Sequence, residues 1–152
     1  MKAAVGNYGD IAQATRLCKT LHADSSWTAL EFNAQHVRKQ LMKIVRTDGM
    51  DMLLSKDDDG VIQGVLLATV DQFFICKERY ATDIHFMCKR GGIQLLAEFK
   101  RWARKHGAKK IIMGIANDDP NNRIARFYEM AGMQNIGDAW VMDIEELQER
   151  AA

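Results

Sequence analysis

The spacing of apolar residues predicts that the chain begins with two amphipathic helices. After Asp10, which can cap a helix, apolar side chains recur at positions 11, 14, 17 and 21. A second series runs through residues 37–45 and stops at Gly49. A recurrence of three to four residues places these side chains on one face of a helix. Each helix therefore has an apolar face that must be buried.

The middle and the end of the chain carry apolar runs that are typical of β-strands. The runs at residues 50–56 and 61–70 flank an Asp-Gly pair, Asp59 and Gly60, which is a strong hairpin signal. Further strands are predicted at residues 2–5, 73–76, 80–87, 110–116, 134–136 and 140–144, with a turn at Gly137 and Asp138. These short strands follow the two helices along the chain.

Two more helices separate the later strands. The longer one spans about residues 92–106 and ends at Gly107, and its apolar stripe contains Ile93, Leu96, Phe99 and Ala103. The shorter one spans residues 122–131, with Asn122 as a natural N-cap and Gly132 as a left-handed stop. The order of elements predicts a single α/β domain over residues 1–152, with a mixed, mostly antiparallel central sheet and helices on both faces.

Composition limits the class of protein without identifying it. The 152 residues are 47% hydrophobic and 27% charged, which is close to a globular average and argues against disorder. No apolar run approaches the roughly 20 residues that span a bilayer, and the first residues lack the apolar core of a signal peptide. We expect a soluble cytoplasmic protein without a membrane partner.

Charge is balanced overall but uneven along the chain. The formal net charge of +1 argues against a dedicated nucleic-acid binder. One segment, in which Glu98 is the only acid, nevertheless concentrates cations: Lys89, Arg90, Lys100, Arg101, Arg104, Lys105, Lys109 and Lys110. This segment is either the solvated face of a helix or a site for a phosphate-bearing ligand.

The three cysteines, at positions 18, 76 and 88, indicate reduced thiols. Their spacing fits neither a disulfide framework nor a Cys-x-x-Cys metal site, so we expect no metal centre. Cys88 precedes Lys89 and Arg90 at a predicted helix start, where positive charge would lower the pKa of a thiol. The alternative is a small buried residue at a strand end.

Two segments of the sequence resemble the GNAT family of acyl-CoA N-acyltransferases. Residues 122–133 read Asn-Arg-Ile-Ala-Arg-Phe-Tyr-Glu-Met-Ala-Gly-Met, which is similar to the family pattern Asn-x-x-Ala-x-x-Phe-Tyr-x-x-x-Gly-Phe, with Met133 in place of the final Phe. Residues 103–111 look like the family's helix-to-strand turn. The resemblance covers about residues 8–144, and it implies transfer of an acetyl or short acyl group from acetyl-CoA to an amine on a small molecule or protein.

The family's cofactor loop is the segment that this sequence matches least well. The family pattern Arg/Gln-x-x-Gly-x-Gly/Ala presents backbone amides to the pyrophosphate of coenzyme A. Here Met87 stands where Arg or Gln is expected, Arg90 replaces the middle glycine, and Gly92 keeps the final small position. The resemblance implies cofactor binding by Met87, Cys88, Lys89, Arg90, Gly91, Gly92 and Ile93, with Asn117 and Asn122 near the pantetheine arm. Loop structure and helix capping explain the two asparagines almost as well.

One tyrosine and two residues of one strand are the catalytic candidates. The resemblance assigns protonation of the leaving thiolate to Tyr128, and the alternative is a tyrosine packed on the core with a wet hydroxyl. By the strand period of two, Asp83 and His85 should project from the same face, where either could deprotonate the amine. A charge pair or an exposed edge without function explains both as well. The oxyanion donor would be a backbone amide near Met87 or Cys88.

Two classes of function remain open. The first is a GNAT-type N-acetyltransferase. The second is a GNAT-like fold that has lost catalysis and serves as a binding or structural module, for example a virion-associated or host-targeting protein of a tailed phage. A homodimer through the C-terminal strand or methionine-rich surfaces is equally open, because the nine methionines also suit a core.

Overall fold

The computed structural model describes residues 1–115 and 121–137. The chain divides into two compact units, Met1–Met113 and Gly114–Ala152. The strand predicted at residues 140–144, the Asp138 position of the predicted turn, and Asn117 lie outside the described residues.

The first unit is a five-stranded sheet whose strands lie in chain order. The strands are β1 (Lys2–Val5), β2 (Met50–Lys56), β3 (Ile62–Gln72), β4 (Arg79–Cys88) and β5 (Lys110–Ile112). Neighbouring strands pair antiparallel except β4 and β5, which are parallel. The helices are α1 (Ile11–Ala23), α2 (Ala34–Arg46) and α3 (Gly92–Lys105). The prediction of a mixed, mostly antiparallel sheet is confirmed.

Helices α1 and α2 cover one face of this sheet. Leu54 of β2 lies opposite Val65 of β3, and cross-strand partners point to the same face. Both belong to a buried cluster that includes Ile11 and Leu17 of α1 and Leu41 of α2. The period of three to four residues that predicted these two helices therefore corresponds to the face that they bury.

Helix α3 packs on the other face. Its buried side chains are Leu95, Leu96, Phe99, Trp102 and Ala103. The indole Nε1 of Trp102 donates a hydrogen bond to Oδ2 of Asp51 in β2 at 2.7 Å, which ties the helix to the strand. Ile93, which the sequence placed on this stripe, is instead 69% exposed. It lies in the first turn of α3, outside the contact with the sheet.

Three predicted strand segments differ from the structure. Residues 73–76 form an exposed loop between β3 and β4, closed by a hydrogen bond from the Phe73 N–H to the Glu78 carbonyl at 3.0 Å. The strand predicted from residue 110 ends at Ile112, and residues 134–136 form no strand. High β propensity reflects fit to a half-buried pleated surface. Phe74 and Ile75 of the loop find no such surface.

The described part of the second unit contains helix α4 (Arg123–Met130). Gly132 has a φ of +81°, so the left-handed stop predicted for this helix is confirmed. Asn122 occupies the N-cap position with a φ of +51°, but its side chain makes no capping hydrogen bond. Its predicted capping role is therefore wrong. Among the described residues of both units, no helix is long and apolar enough to cross a membrane.

Candidate functional site

The turn between β4 and α3 uses its first two amides for internal hydrogen bonds. The N–H groups of Lys89 and Arg90 both donate to the carbonyl of Gln63 in β3, at 2.8 and 3.4 Å. A ligand could recruit these amides only by detaching the turn from β3. Gly91 then adopts a φ of +83°, a left-handed conformation that favours glycine, and α3 begins at the next residue.

Four consecutive amides remain available where α3 begins. The Leu95 N–H donates to the Gly91 carbonyl at 2.9 Å and closes the first turn. In the part of the chain that the structure describes, the N–H groups of residues 91–94 have no hydrogen-bond partner, and no side chain caps the helix. These amides present donors together with the partial positive charge of a helix N-terminus. They suit an anionic ligand such as a phosphate.

A buried serine on β2 anchors this turn. Ser55 has no exposed surface, and its hydroxyl donates to the Arg90 carbonyl at 2.9 Å. The Cys88 thiol donates to the same carbonyl, also at 2.9 Å. A Cβ on Gly64 of β3 would lie 2.7 Å from the Ser55 Oγ and 2.8 Å from the Cys88 Sγ. The turn therefore packs directly on two strands, and only glycine at position 64 leaves room for it.

Sequence reasoning missed the residues that anchor the turn. Ser55 and Gln63 lie 35 and 27 positions before Arg90, and only strand pairing brings them to it. Gly64 was the available signal. An isolated glycine inside a strand marks a place where another part of the chain approaches closely.

The side chains of the predicted cofactor loop divide into buried and exposed groups. Met87 is buried and belongs to the core under α1 and α2, so its side chain does not face a ligand. Burial raises the pKa of the Cys88 thiol to about 11, although hydrogen bonds with Ser55 and the Arg90 carbonyl lower it in part. The Cys88 thiol is instead hydrogen-bonded within the fold. The prediction that its basic neighbours lower its pKa is wrong. Lys89 and Arg90 are exposed.

A β-bulge in β4 separates the two candidate bases. His85 lies opposite Leu67 of β3, but Asp83 lies opposite the next residue, Ala68, so Ile84 is an extra residue in β4. Leu67 and Ala68 point to opposite faces, and so do their partners. The prediction that Asp83 and His85 share a face is therefore wrong, because the period of two does not continue through a bulge.

His85 lies on the face that α1 and α2 cover, and its surroundings keep it neutral. Burial lowers the pKa of the imidazole, and the nearby His22 of α1 lowers it further. A neutral imidazole can accept a proton at pH 7. Asp83 lies on the opposite face, which α3 covers. The two candidate bases therefore lie in different environments on opposite faces of the sheet.

The described part of β5 pairs with only the first residues of β4. β5 pairs only with Tyr80, Ala81 and Thr82 of β4, and within the described residues it makes no ladder with the rest of the strand. Among the described residues, the backbone groups of β4 from Ile84 to Cys88 that face away from β3 therefore have no β5 partner. Such an edge can offer an amide donor to a developing negative charge.

Tyr128 and Asn122 belong to the second unit. The Tyr128 side chain is 9% exposed, and its hydroxyl donates to the Gly114 carbonyl at 3.2 Å within the same unit. The hydroxyl is thus bonded to backbone instead of being held by water alone. Among the described residues, no three His, Cys, Asp or Glu side chains lie close enough together to hold a metal ion.

Comparison with known proteins identifies the fold. No family model matches the sequence, and no curated protein is similar to it in sequence. A solved structure named a probable acetyltransferase has a TM-score of 0.76 and 15% identity, covering 95% of this chain and 98% of the other. A GNAT family acetyltransferase from Staphylococcus aureus has a TM-score of 0.66 and 20% identity, covering 93% and 97%. A protein named a transcriptional regulator from Bacillus halodurans has a TM-score of 0.76 and 17% identity, covering 94% and 99%.

These likenesses extend over almost the whole length of each chain. The chain therefore has the fold of the GNAT acetyltransferases.

We predict that Gly64→Ala destabilises the protein by about 1–3 kcal/mol, because the added methyl group overlaps Ser55, Cys88 and Leu95. Urea denaturation measures the change. Gly114→Ala is the matched control, since its Cβ would meet no atom of the described residues within 4 Å. A Gly64→Ala protein as stable as the wild type would show that the turn does not depend on this close packing.

We also predict that His85 makes stability depend on pH below its ordinary pKa. Because the folded-state pKa is lowered from 6.5, the unfolded chain binds the proton more readily, and stability falls as the pH drops through 6.5 toward the folded value. Above that range His85 contributes no pH dependence. Urea denaturation of wild type and His85→Gln at pH 5.5 and 7.5 measures the difference, and the variant should lose less stability on acidification. An NMR titration midpoint for His85 at or above 6.5 would contradict this account.

Proposed function

We propose that this protein is a cytoplasmic N-acetyltransferase that moves an acetyl or other short acyl group from acyl-CoA to an amine. The observation that carries the proposal is the set of four unpartnered amides at residues 91–94, held in place by Ser55 and preceded by two exposed cations. The names of structural neighbours support an acyltransferase. One neighbour is named a transcriptional regulator, so the same fold serves proteins with different functions.

The residues of the turn fit the phosphates of coenzyme A. The amides at residues 91–94 would hold the pyrophosphate, and Gly92 lacks a side chain that would block its approach, whereas a Cβ on Gly91 would lie 2.7 Å from the Ser55 Cβ. Lys89 and Arg90 are exposed, make no ion pair within the described residues, and would bind the remaining phosphate charge. When bound, the thioester supplies an activated acyl group. Acetyl-CoA is the proposed donor.

The proposed chemistry needs three contributions from the chain. Neutral His85 accepts a proton from the ammonium form of the acceptor, and the neutral nitrogen then forms a bond to the acyl carbon and loses a second proton, which replaces the one that Tyr128 gives up. A backbone amide near Met87 or Cys88, on the edge of β4 that faces away from β3, donates to the carbonyl oxygen as it becomes negative. The carbon–sulfur bond breaks, and the sulfur takes a proton from the Tyr128 hydroxyl. This last role rests on the resemblance of residues 122–133 to the family pattern.

We predict that Tyr128→Phe lowers turnover by roughly 10²-fold or more, because the leaving thiolate loses its proton donor. Release of free thiol from acetyl-CoA, measured with a panel of small-molecule and peptide amines, gives the rate. Binding of desulfo-CoA should stay within about twofold of wild type, since the phenyl ring keeps the packing. Tyr80→Phe, which alters a tyrosine of β4 that packs on Phe73, is the matched control and should keep full turnover.

Two results would count against the proposal. Wild-type protein that binds desulfo-CoA but acetylates no amine would favour the non-catalytic module. Loss of desulfo-CoA binding together with turnover in Tyr128→Phe would identify Tyr128 as a packing residue instead of an acid.

A further inference from the structure

The loop between β3 and β4 projects two apolar side chains into solvent. Phe74 and Ile75 are 103% and 88% exposed, more than any other large apolar residue in the described part of the chain. The loop itself is held at its base. The Phe73 ring packs against Tyr80 with centroids 4.6 Å apart, and the Phe73 N–H is bonded to the Glu78 carbonyl.

Several exposed cations lie at the same end of the sheet as this loop. Arg79 begins β4, its carbonyl accepts the Lys109 N–H at 2.8 Å, and Lys110 lies opposite Tyr80. The last turn of α3 leads into this connection. We call the following six residues the basic rim: Lys77, Arg79, Arg104, Lys105, Lys109 and Lys110.

The described residues form no ion pairs with the cations of the basic rim. All six side chains are exposed, and within the described residues none of them makes an ion pair. Among the described residues, the connections at this end of the sheet carry three acids, Asp48, Asp71 and Glu78, fewer than the six cations of the basic rim. The chain as a whole carries only +1. Positive charge is therefore concentrated around the apolar tip.

We propose that Phe74, Ile75 and the basic rim form a surface that binds an anionic lipid bilayer. Single exposed apolar residues are ordinary on protein surfaces. Two adjacent, highly exposed ones in a loop at the same end of the sheet as several exposed cations match what an interface with anionic lipids offers, because apolar side chains enter the acyl boundary while cations meet the headgroups. The predicted absence of a membrane partner rested on the lack of a spanning segment, which does not bear on surface binding.

The other occupants of this surface fit less well. A nucleic acid would pair with the cations and could stack on Phe74, but it would leave the branched side chain of Ile75 in water. A second copy of the chain would bring two basic rims together, and like charges repel. Of these three occupants, a bilayer is the one that satisfies both the apolar tip and the cations. Binding of this kind is reversible and weakens with salt.

Cosedimentation with lipid vesicles tests the proposal. The purified protein should bind vesicles that contain phosphatidylglycerol and should not bind vesicles of phosphatidylcholine alone. Added sodium chloride should weaken the binding progressively. No binding to phosphatidylglycerol vesicles at low salt would overturn the proposal.

Surface variants separate the two contributions. The double change Phe74→Ser and Ile75→Ser should lower the partition coefficient at least about tenfold. Neutralising Lys77 or Lys109 to Gln should lower it about fivefold for each cation. Val61→Ser at the β2–β3 turn and Lys39→Gln on α2 are matched controls away from the surface and should bind like wild type.

Two further outcomes would overturn the proposal in favour of another partner. Salt-dependent binding to a short DNA duplex without vesicle binding would assign the basic rim to nucleic acid. A dimer in analytical ultracentrifugation that the Phe74 and Ile75 changes dissociate, again without vesicle binding, would assign the tip to a second copy. Neither outcome depends on acetyl transfer, so the surface and the proposed enzyme activity stand or fall separately.

Discussion

The contact of the β4–α3 turn with Ser55 and Gly64 is the constraint on which the candidate site depends. The Ser55 hydroxyl satisfies the Arg90 carbonyl inside the fold, where an unpaired acceptor would cost about 1–3 kcal/mol. Because this carbonyl is fixed, the left-handed turn at Gly91 directs the chain into α3 at a defined place. The amides at residues 91–94, which have no hydrogen-bond partner among the described residues, therefore lie on a rigid support, and a binding site on rigid elements keeps its geometry.

The same contact explains how a loop with an altered sequence pattern can keep its geometry. The glycine of the family pattern is replaced by Arg90, but Arg90 does not have a positive φ in the structure. The left-handed residue is Gly91, so the arginine causes no backbone strain. Its side chain is exposed and adds positive charge beside the amides. The loop thus departs from the family pattern in its side chains, while the amides at residues 91–94 have no hydrogen-bond partner among the described residues.

Hydrophobic periodicity predicted the elements of the fold better than it predicted the site. β2 was placed at its observed bounds, and α3 was placed to within one residue of them, because each buries a continuous apolar face. The prediction that Asp83 and His85 share a face was wrong, because the sequence carries no local signal for the bulge at Ile84. The environment of Cys88 also depends on residues far away in the sequence. Burial of the strand end raises the pKa of its thiol, and a hydrogen bond with Ser55 lowers it in part. Such features depend on strand pairing, which local patterns do not specify.

The central claim is that the amides at residues 91–94 receive the phosphates of coenzyme A. A titration of the ¹⁵N-labelled protein with desulfo-CoA, followed by amide NMR, tests it directly. We expect the largest shifts at these four amides. The Lys89 amide should shift less, because it already donates to Gln63. If desulfo-CoA binds but its shifts fall elsewhere, or if it does not bind at all, the account of this site is wrong.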